Sequence, residues 1–88
     1  MRARYAHVTA SGVVTTAPVS LVAVLLTGGA DASQAVVRDG GATGAVVLTL
    51  KAAAGESVSF APAVPVVLMR GLYVELSGTT PEVTVVYG

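Results

Sequence analysis

Val19-Ser20-Leu21-Val22-Ala23-Val24-Leu25-Leu26-Thr27 carries no charge and places apolar side chains at both odd and even positions, between Pro18 and the pair Gly28-Gly29. Successive side chains of a strand point to opposite faces, so this segment reads as a long strand with two apolar sides. Both sides of a strand are apolar when each is covered. The expectation is therefore a segment held between the core of its own domain and a neighbouring subunit, with Val19, Leu21, Val22, Val24, Leu25 and Leu26 as the candidate interface.

The same period of two extends outward from this segment. Leu72, Val74 and Leu76 alternate with Tyr73 and Glu75, and Val83, Val85 and Tyr87 alternate with Glu82, Thr84 and Val86. Ser77-Gly78-Thr79-Thr80-Pro81 lies between them, so the C-terminal third is expected to be a hairpin. Tyr5–Thr9, Val13–Thr16, Gln34–Arg38, Val46–Lys51 and a short piece around Val58 and Phe60 complete the series, separated by turns rich in Gly, Ser and Pro. Pro62 and Pro65 end the Val58 strand, because proline cannot donate to an interior ladder. Leu50-Lys51-Ala52-Ala53-Ala54 has the composition of a helix but is too short to stand alone before Gly55. Eighteen valines and nine threonines suit a pleated surface. The expected fold is all-β: a small antiparallel β-sandwich or jelly-roll-like barrel of about eight short strands, one domain over residues 1–88, with 1–5 as an N-terminal arm.

Composition narrows function by exclusion. Of 88 residues, 53% are hydrophobic and 11% charged, against about 25% charged in an average soluble protein. A chain this small leaves much of its surface outside the core, so the apolar excess argues for burial against other copies or a partner. Five basic residues balance five acidic ones, and only Arg2 and Arg4 lie close together, which leaves no electrostatic footprint for nucleic acid. High apolar content excludes intrinsic disorder, and zero cysteines exclude disulfide staples and thiolate metal sites. The uncharged stretch Val8–Ala30 is long enough for a membrane span, but it is interrupted by Thr, Ser, Gly and Pro, and no membrane association is expected. A signal-peptide reading, with Arg2 and Arg4 as the basic region and Leu21–Leu26 as the apolar one, suffers from the polar residues between them.

Motifs for chemistry are sparse. His7 is the sole histidine and has no cysteine to join it as a metal ligand. The acids Asp31, Asp39, Glu56, Glu75 and Glu82 form no spaced motif, and Asp39-Gly40-Gly41 reads as a turn more readily than as a calcium loop. None of the six serines sits in a Gly-x-Ser-x-Gly context, and the glycine-rich stretches lead into strands without the lysine of a phosphate loop. A non-enzymatic protein without a cofactor is expected.

The run Arg70-Gly-Leu-Tyr-Val-Glu-Leu-Ser-Gly-Thr-Thr-Pro-Glu-Val-Thr-Val-Val-Tyr-Gly88 resembles the C-terminal end of small β-structured virion proteins of tailed bacteriophages. The earlier order is similar too, from Val8-Thr9-Ala10-Ser11-Gly12 through Gln34–Gly44 to Lys51–Ser57. The resemblance implies a head decoration (cement) or fibre-like protein, made in the bacterial host cytoplasm and assembled on the capsid exterior of the virion. Its partners would be further copies of itself, as a homotrimer, and the major capsid protein; no catalytic residues carry over. In that setting Arg2, Arg4 and Tyr5 are the candidate capsid-contact arm, since Tyr and Arg dominate interface hot spots. The rival reading is a tail-fibre or tail-tip module that self-assembles or binds a host glycan, with Tyr73 beside Glu75 as its aromatic contact.

Overall fold

The computed structural model describes residues 4–88. Nine strands follow in order: β1 Arg4–Val8, β2 Gly12–Thr15, β3 Val19–Thr27, β4 Ser33–Asp39, β5 Ala45–Ala52, β6 Ser57–Phe60, β7 Val66–Leu68, β8 Leu72–Ser77 and β9 Glu82–Tyr87. They form two antiparallel sheets. Sheet A has the order β1-β9-β3-β6, with β7 also pairing β3, and sheet B has the order β2-β8-β4-β5. The domain is a small β-sandwich measuring 34 × 26 × 17 Å, its thin axis matching two sheets stacked about 10 Å apart.

The core sits between the sheets. Leu21, Val24, Leu26, Leu68, Val83 and Val85 enter it from sheet A, and Ala35, Val37, Ala52, Leu72 and Val74 from sheet B. Every one of these is aliphatic and none is aromatic, in keeping with a thin interior filled by Val, Leu and Ala. The expected strands thus exist, including Val19–Thr27 with the bounds read from the sequence. Residues 50–52 continue β5 instead of turning into helix. Among the described residues no helix is long and apolar enough to cross a membrane, and Val8–Ala30 is occupied mainly by β2 and β3.

Three expectations are corrected. First, β8 and β9 do not form a hairpin: β8 pairs β2 and β4, while β9 pairs β1 and β3 in the other sheet. Alternation cannot distinguish the two arrangements, because Leu72/Val74 and Val83/Val85 bury equally well side by side or facing each other across the core. The arch is held by Asp31, whose carboxylate accepts the Thr79 N–H and hydroxyl at 2.9 Å each. It also depends on Gly29, where a Cβ would run into the Thr79 carbonyl.

Second, the apolar character of both faces of β3 is partly a phase effect. Leu21 lies opposite Tyr87 and Ala23 opposite Val86, so Val22 is an extra residue at a bulge. Such a bulge resets the alternation. Leu21 points inward before it and Val24 and Leu26 after it, all with no exposed surface. Three of the six residues expected at a subunit interface are therefore consumed by the protomer's own core. Third, Arg4 and Tyr5 are no loose arm; they pair with Tyr87 and Val86 in the β1–β9 ladder. Arg2 lies outside the described residues.

Strand β7 went unread because three apolar residues after Pro65 show no alternation. It lies along the first part of β3, with Val19, Ser20 and Leu21 facing Leu68, Val67 and Val66.

Leu25 and Leu26 are adjacent, yet Leu25 is 43% exposed and Leu26 fully buried. Leu26→Ala should cost about 2–5 kcal/mol of stability, and Leu25→Ala less than about 1 kcal/mol. Urea unfolding at low protein concentration measures both, and equal losses would contradict the inward and outward assignment.

Candidate functional site

The two outer faces of the sandwich differ in chemistry. On sheet B the outward positions include Gln34, Val36 and Arg38 of β4, Tyr73 and Glu75 of β8, and Thr49 and Lys51 of β5. Arg38 donates from Nε to Glu75 at 3.4 Å and from Nη1 to the Gly44 carbonyl at 3.0 Å. This face mixes paired polar groups with two exposed valines, Val13 opposite Tyr73 and Val46 opposite Arg38.

Sheet A is built differently. The β1–β9–β3 register sets Tyr5, Val86 and Ala23 in one row, and His7, Thr84 and Leu25 in the next, all on the outer side. Val67 of β7, opposite Ser20, extends the same side. Tyr5 is 76% exposed, Val67 60% and Leu25 43%, so a large part of this apolar surface meets solvent. Charge is confined to one end. There His7 Nε2 lies 2.9 Å from Glu82 and Nδ1 3.2 Å from the Thr84 hydroxyl, while the Thr27 and Ser57 hydroxyls share a hydrogen bond of 3.0 Å. The His7–Glu82 contact is an ion pair when the imidazole is protonated, and pairs this exposed are worth about 0–1 kcal/mol.

Of the residues singled out in the sequence, this face gathers Tyr5 and Leu25. Leu21, Val24 and Leu26 face the opposite way, and Val19 and Val22 are half-buried. Arg4 occupies the end of β1 beside Thr15, Pro18 and Tyr87. Ala23, Val67 and Val86 were missed. Their contribution depends on the register of β3 with β9 and β7, which no local pattern carries.

The remaining candidates for chemistry are engaged in architecture. The Asp39 carboxylate accepts the backbone N–H groups of Met69 at 3.3 Å and Arg70 at 2.8 Å, and so caps the loop between β7 and β8. Glu75 faces Arg38, and neighbouring Tyr73 is only half-exposed, so the surface expected for a glycan is partly closed. Among the described residues, no three His, Asp or Glu side chains converge as a metal site. His7 contacts one acid, Glu82, and the Thr84 hydroxyl. No protein-family model matches the chain, and no match was found among curated proteins or solved structures.

Asp31 supplies a pH signature. Hydrogen bonds from Thr79, its backbone N–H first and its hydroxyl second, hold the carboxyl below its usual range. A depressed folded-state value means the folded protein binds fewer protons than the unfolded chain, so this stabilisation is complete above about pH 4. It is lost as pH falls through the folded value. Asp31→Asn should lower the urea midpoint at pH 7 and narrow its gap from the unsubstituted protein as the pH falls below about 4. A gap independent of pH would show that the carboxylate is not what holds the arch.

Proposed function

We propose that this chain is a non-enzymatic structural protein of a tailed-bacteriophage virion. As a decoration or cement protein, it binds the outside of the head shell as a homotrimer and stabilises it. The observation that carries this reading is the outer face of sheet A, an exposed apolar surface whose charge is confined to the His7–Glu82 end. Interface cores are depleted of charge and enriched in aromatic residues, and Tyr5 on this surface is such a residue.

Cementing a shell requires shape and apolar contact more than a reactive group. Three flat faces can close around a three-fold axis as a prism, leaving edges and loops to meet the shell. A trimer that touches several capsid subunits gains strength by linking modest contacts. The resemblance of Arg70–Gly88 and the earlier segments to small virion proteins supports the phage setting. The sandwich and the engaged state of Asp31, Asp39, Arg38 and Glu75 agree with a scaffold that presents a surface.

Leu25→Asp introduces a charge at the middle of the face, and Tyr5→Ala removes its largest exposed side chain. Both positions are solvent-accessible in the protomer, so circular dichroism should report an intact β fold. Sedimentation should show loss of the trimer contact as a threefold fall in mass, and occupancy on purified heads should fall for Leu25→Asp first. Unchanged assembly and occupancy for both variants would exclude this face as the contact. Normal assembly with no binding to heads would retain self-association and sink the decoration role.

A further inference from the structure

Sheet edges present backbone N–H and C=O groups with no partner, and proteins guard them by shortness, charge or bulges. Among the described residues, sheet A ends at β1 on one side and at β6 and β7 on the other. These strands have five, four and three residues, and β1 also carries Arg4 and His7. In sheet B the β2 edge is four residues long and bulged between Val13 and Thr15. The β5 edge is the longest: Ala45-Val-Val-Leu-Thr-Leu-Lys-Ala52 spans eight residues, is bulged at Val47 but regular from Leu48 to Ala52, pairs only β4, and has Lys51 as its one charge.

We propose that β5 pairs antiparallel with β5 of a second copy about a two-fold axis at Thr49, joining two four-stranded sheets into one of eight strands. The side chains select this register. Leu48 and Leu50 lie opposite Val37 and Ala35 on the core side, whereas Thr49 lies opposite Val36 on the outer side. An axis at Thr49 sets Leu48 of one copy against Leu50 of the other, so the two apolar interiors meet across the seam. It also separates the two Lys51 residues by four strand positions, about 13 Å, beyond the screening length of about 8–10 Å. An axis at Leu50 would bring them to about 7 Å. An axis at Leu48 would put the extra residue Val47, at the bulge between the Arg38 and Val37 pairings, next to the symmetry axis. At Thr49 that bulge falls opposite Lys51 of the second copy and ends the ladder.

This edge contact is separate from the sheet A face and does not rest on the virion reading. It makes a definite demand on geometry. Directly opposed antiparallel residues have Cα atoms about 4.5–5.5 Å apart, within the range of about 4.4–6.8 Å that a disulfide can span.

The chain contains no cysteine, so Thr49→Cys carries the only thiol. Mild oxidation should give a disulfide-linked dimer with native circular dichroism. Gln34→Cys, one strand inward on the same outer face, should stay unlinked under the same conditions. Thr49→Lys, which opposes like charges at the axis, should weaken dimerisation by about fivefold or more in sedimentation while the protomer stays folded. Cross-linking of Thr49→Cys no faster than Gln34→Cys, or Thr49→Lys associating as the unsubstituted chain does, would overturn the proposal. Leu25→Asp should leave the Thr49→Cys cross-link intact, which separates failure of the face from failure of the edge.

Discussion

Strand β3 must satisfy both of its edges and one of its faces within a single protomer, and the remaining strands are arranged around that requirement. β9 covers one edge along most of its length, while β6 and β7 divide the other, β7 taking Val19–Leu21 and β6 taking Val24–Thr27. The bulge at Val22 lets Leu21, Val24 and Leu26 all reach the interior from a strand whose strict alternation would have sent Leu21 the other way. What is left outward, Ala23 and Leu25, lies in the centre of sheet A's outer surface. The core and the candidate contact face are consequences of the same nine residues.

Local geometry made much of this readable from the amino-acid sequence. A pleated strand turns its side chains over at every residue, so alternation at Leu72–Leu76 or Glu82–Tyr87 marks a strand wherever its partners lie. Partner choice is not local. Ser77–Pro81 reads as a turn in either arrangement, and the interactions that make it an arch, Asp31 with Thr79 and the close approach of Gly29, come from residues nearly fifty positions away. β7 was invisible because a three-residue edge strand has no period to detect. At the candidate face the exposed apolar character of Leu25 was legible, but Tyr5 acquired its neighbours Val86 and Ala23 only through register. Of the arm expected at residues 1–5, Arg4 and Tyr5 were misread for the same reason: nothing around them signals that β9 will pair with them.

Low charge content is unevenly distributed in the folded molecule. Arg38, Glu75 and Lys51 lie on the outer side of sheet B, and Asp31 and Asp39 hold loops through backbone N–H groups. The outer side of sheet A has only His7 and Glu82 among the described residues, and those face each other, while Arg4 of β1 lies on the opposite side, across from Tyr87. A chain with so few charges can keep one broad surface nearly free of them by using the others as fastenings. The exposed apolar residues are shared between the faces: Tyr5, Leu25 and Val67 on sheet A, where few charges accompany them, and Val13 and Val46 on sheet B, which also carries the Arg38–Glu75 pair.

The order β1-β9-β3 has a bearing on how the molecule is made. β9, the most C-terminal of the nine described strands, lies between two of the first three, with His7 and Thr84 in contact across 77 positions of chain. Until β9 is available, β1 has no partner and the inner edge of β3 stays open. Sheet A can therefore close only after synthesis of this segment, and its pairing is of the slow, non-local kind. A chain lacking the residues from Glu82 onward would expose unpaired, valine-rich strand edges of the kind that pair with other chains.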